Sequence, residues 1–115
     1  MPYERLRAWK ACDDLTIAVY KFTKTFPRDE LYGLTSQARR AALSAGANIA
    51  EGSAKRGPRE FRRYLDISIG SLSELANALH VAKRLEYLTL EEWRELDGLR
   101  TMASTLTWHL YKSVS

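Results

Sequence analysis

One cysteine, three prolines and six glycines are all that this 115-residue chain contains of those residues, and each scarcity removes a class of structure. Cys12 has no second thiol in the chain to pair with, so the fold does not rest on an intramolecular disulfide, and no cysteine pair exists for zinc. So little Pro and Gly, with 45% hydrophobic and 28% charged residues, excludes the disordered and collagen-like classes. No run of 18 apolar residues is present, and the opening MPYERLRAWK lacks the apolar middle of a signal peptide. The expectation is a cytoplasmic protein without a membrane partner. No alternating β-branched run is bounded by turn residues, so strands are not expected. The length suits one domain, residues 1–115, with a single core.

What is present is helical periodicity. A first helix is expected from about Glu4 to Thr25, with Ala8, Cys12, Leu15, Val19, Phe22 and Phe26 on a 4-3-4-3-4 seam and Trp9, Ile17 and Tyr20 widening its apolar zone. Phe26-Pro27 ends it, because the residue before Pro is pushed out of the α region. A polar connection, Arg28-Asp29-Glu30, leads to a second helix reaching roughly Ala54. Gly57-Pro58 punctuates the chain: Gly tolerates positive φ, and Pro suits a first helical turn. The third helix runs from Pro58 to about Glu86 on the seam Phe61, Leu65, Ser68, Leu72, Leu75, Leu79 and Ala82. Thr89 with Glu92 three residues on matches a capping box, opening a fourth helix with Leu96, Leu99, Ala103, Leu106 and Leu110 inward. Four helices with short connections predict an all-α, antiparallel up-down-up-down four-helix bundle.

The second helix has two apolar faces. Leu34, Ala38, Ala41, Ala45 and Ile49 form the stripe expected to face the core, while Leu43, Ala47 and Ala50 lie opposite. A helix apolar on both faces is usually covered on both, and in so short a chain the second cover is expected to be another copy of itself. Small residues there let a partner helix approach closely. Gly70, opposite the seam of the third helix, is either tolerated at a surface or a second point of close approach by a neighbour. Leu43, Ala47, Ala50 and Gly70 are therefore the candidate oligomer contacts.

The net charge of +4 is modest, but its distribution is uneven. Residues 39 to 63 hold seven cations, Arg39, Arg40, Lys55, Arg56, Arg59, Arg62 and Arg63, against Glu51 and Glu60. Residues 86 to 97 hold five acids against Arg94, which predicts a polarised molecule. Most charge runs are solvated turns. Here the cations are mostly arginines, whose planar fork matches phosphate, so the cluster is the candidate nucleic-acid site, for RNA or DNA, through sequence-independent phosphate contact. Phe61 and Tyr64 interleave with it, but Phe61 belongs to the core seam.

Catalysis finds no motif. Di-metal carboxylate bundles need Glu-x-x-His, yet Asn77 precedes His80 and Leu106 precedes His109 at that offset. An Arg followed by His after four to six residues, as in some helical-bundle RNases, is absent too. There is no phosphate-binding glycine loop and no nucleophile elbow. No enzymatic activity, metal or cofactor is expected. Asn48 and Glu51, near the inner stripe of the second helix, are expected to satisfy themselves on neighbouring helices, through Arg39, Arg40 or an arginine of the third helix, rather than to line a pocket.

The segments LRAWKACDDLTIAVYKFTKTFP, DELYGLTSQARRAALSAGANIAEGSAKR and EFRRYLDISIGSLSELANAL resemble the bacterial family named after 23S rRNA intervening sequences, also called S23 ribosomal proteins. The most specific pieces are YGL at Tyr32–Leu34, QARRAA at Gln37–Ala42, NIAEG at Asn48–Gly52 and GSLSEL at Gly70–Leu75. The resemblance implies an antiparallel four-helix bundle assembling as a homopentameric ring. It also implies kinship with the accessory variability determinant of diversity-generating retroelements, a basic pentamer that contacts nucleic acid and a reverse transcriptase. Where relatives carry a proline in SIPSNIAEG, this chain reads Ser44-Ala45-Gly46-Ala47-Asn48, so a bend at Gly46 is permitted but not enforced.

Overall fold

The computed structural model describes residues 2–114 and consists of four long helices. They are α1 (Pro2–Phe22), α2 (Leu34–Ser53), α3 (Pro58–Arg84) and α4 (Leu90–Ser113), with 3₁₀ turns at Thr23–Thr25 and Arg28–Glu30 between α1 and α2. No strand occurs among the described residues. Helices adjacent in sequence pack side by side, and α1 closes the bundle against α4. The start of α1 meets the end of α2 through Arg5 and Ser53, and the start of α3 meets the end of α4 through Arg62 and Val114. Of the described residues, no helix is long and apolar enough to cross a membrane.

The expected seams are the core. Every seam position of α3 from Phe61 to Ala82 is buried, as are Ala8, Cys12, Leu15 and Val19 of α1 and Leu96, Ala103 and Leu110 of α4. Leu15, Leu65, Leu72, Leu75, Leu79, Leu96 and Leu110 are completely inaccessible. Each contributes about 1.5–3 kcal/mol relative to an exposed position. Three positions assigned to the apolar zone of α1 lie outside it: Trp9, Ile17 and Tyr20 are all exposed. Trp9 and Tyr20 lie at the edge of the arc that α2 covers, beside Gly46 and Arg39, and Ile17 is half exposed, because a packed helix buries only a stripe.

The helix ends follow local chemistry. Gly57 adopts φ 83° and ψ 158°, a conformation essentially reserved for Gly, and Pro58 opens α3 directly after it. At α4 the capping box is reciprocal: the Glu92 amide donates to Thr89 Oγ1 at 3.0 Å, and the Thr89 amide donates to Glu92 Oε1 at 2.9 Å. α3 stops two residues earlier than expected, and Glu86 follows it with φ 63°. The Tyr87 amide then donates to the Ala82 carbonyl at 2.9 Å, the long bond of a Schellman stop. α2 begins at Leu34, three residues after the expected stretch opens, and runs through Gly46 without a break.

The small residues of α2 serve contacts within the chain. A Cβ on Gly46 would lie 3.5 Å from Cys12 Cβ of α1, and one on Gly52 would meet Tyr64 Cβ of α3 at 2.6 Å. Close approach lets hydroxyls of the flanking helices reach α2 carbonyls: Thr16 Oγ1 donates to Ala42 O at 3.0 Å and Ser68 Oγ to Ala45 O at 2.7 Å. Asn48 does not reach an arginine. Its amide donates to Ser44 O and Oγ on the preceding turn, and Ser44 bonds Ser71 of α3 at 2.9 Å. Glu51 is exposed. The predicted arginine partners failed for these two residues because α2 offered Asn48 a nearer acceptor and left Glu51 in solvent.

Candidate nucleic-acid interface

The seven expected cations do not form one cluster. Lys55, Arg56, Arg59, Arg62 and Arg63 gather around the α2–α3 turn and the first turns of α3. Arg39 and Arg40 sit near the other end of α2, separated from the turn by about 20 Å of helix at 1.5 Å per residue. Arg39 is also committed elsewhere. Its Nε donates to Thr23 Oγ1 at 2.9 Å and its guanidinium lies 4.8 Å from the Tyr20 ring centroid. That geometry clamps the end of α1 onto α2. Arg40 is exposed, on a polar cleft of about 550 Å³ with Tyr32, Gln37 and Glu74.

Around the turn the cations divide again. Arg62 donates from Nη1 to the Val114 carbonyl at 2.7 Å, which holds the end of α4. Arg63 contacts Glu60 Oε1 at 3.3 Å and stands 4.7 Å from the Tyr64 ring centroid. The Glu60 bonds, followed by its charge, push the Arg63 pKa further up, so that charge is permanent. Lys55 Nζ lies 5.5 Å from the same Tyr64 ring. Tyr64 therefore lies between two cations and is half-buried, which makes it a poor platform for stacking a base. Arg56 and Arg59 are exposed, Arg59 on a shallow cleft with Glu60 and Asp66. The arrangement offers charge-assisted contacts to phosphate oxygens without base readout.

Arg5 belongs to the same end, and sequence reasoning missed it. Its guanidinium lies 5.4 Å from the Phe61 ring centroid, and Nη1 reaches Ser53 O at 3.4 Å. Nearly fifty residues separate it from the turn, and only the pairing of the start of α1 with the end of α2 brings them together. At the opposite end the five acids of residues 86–97, with Asp29 and Glu30, are nearly balanced by Lys21, Lys24, Arg28, Lys83, Arg84 and Arg94, so the expected polarity is carried by the basic end. The excess positive charge thus resides at the α2–α3 turn.

The second face of α2 is open in the single chain. Leu43 is 55% exposed, and Ala47, Ala50 and Gly70 are exposed as well. A Cβ on Gly70 would meet nothing within 4 Å. The two histidines, His80 and His109, both face solvent. Cys12 is buried, and burial, only partly offset by the Thr107 hydroxyl, raises its pKa to about 11. At neutral pH it is a thiol and a weak nucleophile. Among the described residues no group of His, Cys, Asp and Glu is placed to hold a metal.

The model of one protein family matches residues 4–107, nearly the whole chain, across all four helices. This chain belongs to the 23S rRNA-intervening sequence protein family. Its fold is shared with a crystal structure of a protein of unknown function from the S23 ribosomal protein family of Bacteroides thetaiotaomicron. The two superpose with a TM-score of 0.88 at 20% identity, over 96% of this chain and 99% of that one. At that identity the likeness speaks for the fold alone. No curated protein matches the chain. The intervening-sequence family membership agrees with the motifs at Tyr32–Leu34, Gln37–Ala42, Asn48–Gly52 and Gly70–Leu75, all of which lie within the matched residues.

Proposed function

We propose that this chain is a non-enzymatic, homo-oligomeric nucleic-acid-binding bundle whose four helices run antiparallel, up-down-up-down. The antiparallel course is supported by side-chain bonds that pair Arg5, early in α1, with Ser53 at the end of α2, and Thr16, late in α1, with Ala42 in the first half of α2. The observation that carries the binding reading is the gathering of Arg5, Lys55, Arg56, Arg59, Arg62 and Arg63 at one end, with Arg56 and Arg59 exposed at the surface. Contacts of this kind are sequence-tolerant and strongly salt-dependent. Oligomerisation is supported by the open apolar face of Leu43, Ala47 and Ala50, and the family resemblance favours a ring of five. A ring would repeat the basic end in every subunit and add avidity to a weak contact.

The deciding experiment converts Arg56, Arg59 and Arg63 to Glu and measures RNA and DNA binding at low and moderate salt. Binding should disappear while the helical circular dichroism stays intact; unchanged affinity would sink the assignment. Leu43→Glu should lower the mass seen by light scattering, because it places a charge in an apolar contact. Wild-type mass in that variant would remove the second face of α2 as the contact.

A second reading, an interaction scaffold without nucleic acid, is favoured by Arg39, Arg62 and Arg63 already holding partners within the chain. It predicts that the triple variant loses oligomeric mass or partner-protein binding, and that the wild type ignores nucleic acid at every salt concentration.

A further inference from the structure

An apolar groove runs between α1 and α2, about 460 Å³ in volume, bordered by Arg5, Leu6, Trp9, Ile49, Ala50 and Ser53. Leu6 is 61% exposed and Trp9 37% exposed on it, more open apolar surface than two neighbouring positions need for packing. At Arg5 and Ser53 the groove meets a second depression of about 330 Å³, bordered further by Lys55, Gly57 and Phe61. The joint is therefore apolar on one side and cationic on the other. Neither depression is lined by an aspartate or glutamate. The other three described depressions each carry at least one: Glu74, Glu60 with Asp66, and Asp14.

Arg5 is also underspent. Among the described residues its Nε is buried without a hydrogen-bond partner, and the bond from Nη1 to Ser53 O is long at 3.4 Å. Buried donors are nearly always satisfied; Nε itself is enclosed, but the Arg5 side chain borders both depressions, where the rest of its guanidinium is a donor for an incoming anion. Pockets of this size, apolar with a few convergent polar groups, are typical of small-molecule sites.

We propose that the joined depressions bind a free anionic amphiphile, an alkyl chain in the Leu6–Trp9–Ile49 groove with its carboxylate or phosphate head between Arg5 and Lys55. The site overlaps the proposed nucleic-acid surface at Arg5 and Lys55 and the open face of α2 at Ala50, but its apolar groove has no part in phosphate contact.

The test titrates decanoate and decyl phosphate, below their micelle thresholds, into the full chain and follows the Trp9 indole N–H resonance. Both should shift it saturably, decanol should bind about tenfold more weakly for want of the charge-assisted bonds, and acetate should not shift it. Arg5→Gln should erase the preference for acid over alcohol. If that variant fails to fold, the acid–alcohol comparison on the wild type decides alone. Equal binding of decanoate and decanol, or no saturable shift, overturns the proposal. A response only to anionic vesicles makes the groove a membrane contact and overturns the free-ligand site. Loss of oligomeric mass in Leu6→Lys, without decanoate binding to the wild type, assigns the groove to a second copy and overturns it too.

Discussion

Glu30 and Tyr87, 57 positions apart, meet through a hydrogen bond in which the tyrosine hydroxyl donates to Oε2 at 3.0 Å. The other carboxylate oxygen accepts the Leu34 amide at 3.1 Å, satisfying one of the free N–H groups that open α2. The Tyr87 ring in turn packs at 5.4 Å on Phe26, beside Pro27. One carboxylate thus ties the α1–α2 connection, the start of α2 and the α3–α4 turn together at the end of the bundle remote from the basic turn.

This contact makes alkaline stability depend on Tyr87. The bond to Glu30, then burial and the charges of Glu30 and Asp29, raise its pKa above the ordinary 10. A raised value means that the folded state holds the proton more tightly than the unfolded chain. The stabilisation is therefore complete below about pH 10 and is lost as pH rises through the higher folded value. Tyr87→Phe should melt below wild type at pH 7, and the gap should close in thermal scans above pH 10. Parallel melting curves across that range would show that the contact contributes nothing.

Two glycines should respond oppositely to alanine. Gly52→Ala places a Cβ 2.6 Å from Tyr64 Cβ and 3.0 Å from Phe61 Cδ1, so α2 and α3 must separate locally at a cost of about 1–3 kcal/mol. Gly70→Ala meets no atom and should stabilise the chain by about 1 kcal/mol through helix propensity. Denaturant unfolding measures both. If Gly70→Ala lowers the assembled mass by light scattering, a neighbouring subunit occupies the space that the single chain leaves empty.

Glu86 carries a backbone cost that glycine would remove. Its φ of 63° lies in the left-handed region, unfavourable for an L side chain by about 1–2 kcal/mol. Glu86→Gly should stabilise the bundle by about 1 kcal/mol, part of the gain being lost to the freer unfolded chain. A lower melting temperature in that variant would mean that the Glu86 side chain contributes more than its backbone costs.

The split among the arginines predicts separable phenotypes. Arg59→Gln should weaken nucleic-acid binding and reduce the slope of log K against log salt by about 0.9, the signature of one lost phosphate contact. Arg39→Gln should leave that slope alone and lower stability, since it removes the bond to Thr23 and the contact with Tyr20. Salt titrations and thermal melts on the two variants separate the effects. A reduced salt slope for Arg39→Gln would put nucleic acid along the whole of α2.

The sequence by itself determined the four helices, their buried stripes and most of their ends. Those are local matters: a 4-3 spacing such as Phe61–Leu65–Ser68–Leu72 puts one face inward whatever the neighbours are. Gly57-Pro58 and Thr89 with Glu92 likewise carry their geometry within a few residues. Only the tertiary structure decided which long polar side chains meet. Arg39 next to Arg40 looked like part of the basic cluster, but the facing of α1 and α2 brings it to Thr23 and Tyr20. Arg5 looked like an isolated charge, yet the same pairing delivers it to the basic end. The Glu30–Tyr87 bond spans two turns that only bundle closure brings together. The reason is physical: helix formation depends on contacts three and four residues apart, whereas a flexible charged side chain takes whatever partner the packing of whole helices puts within its reach.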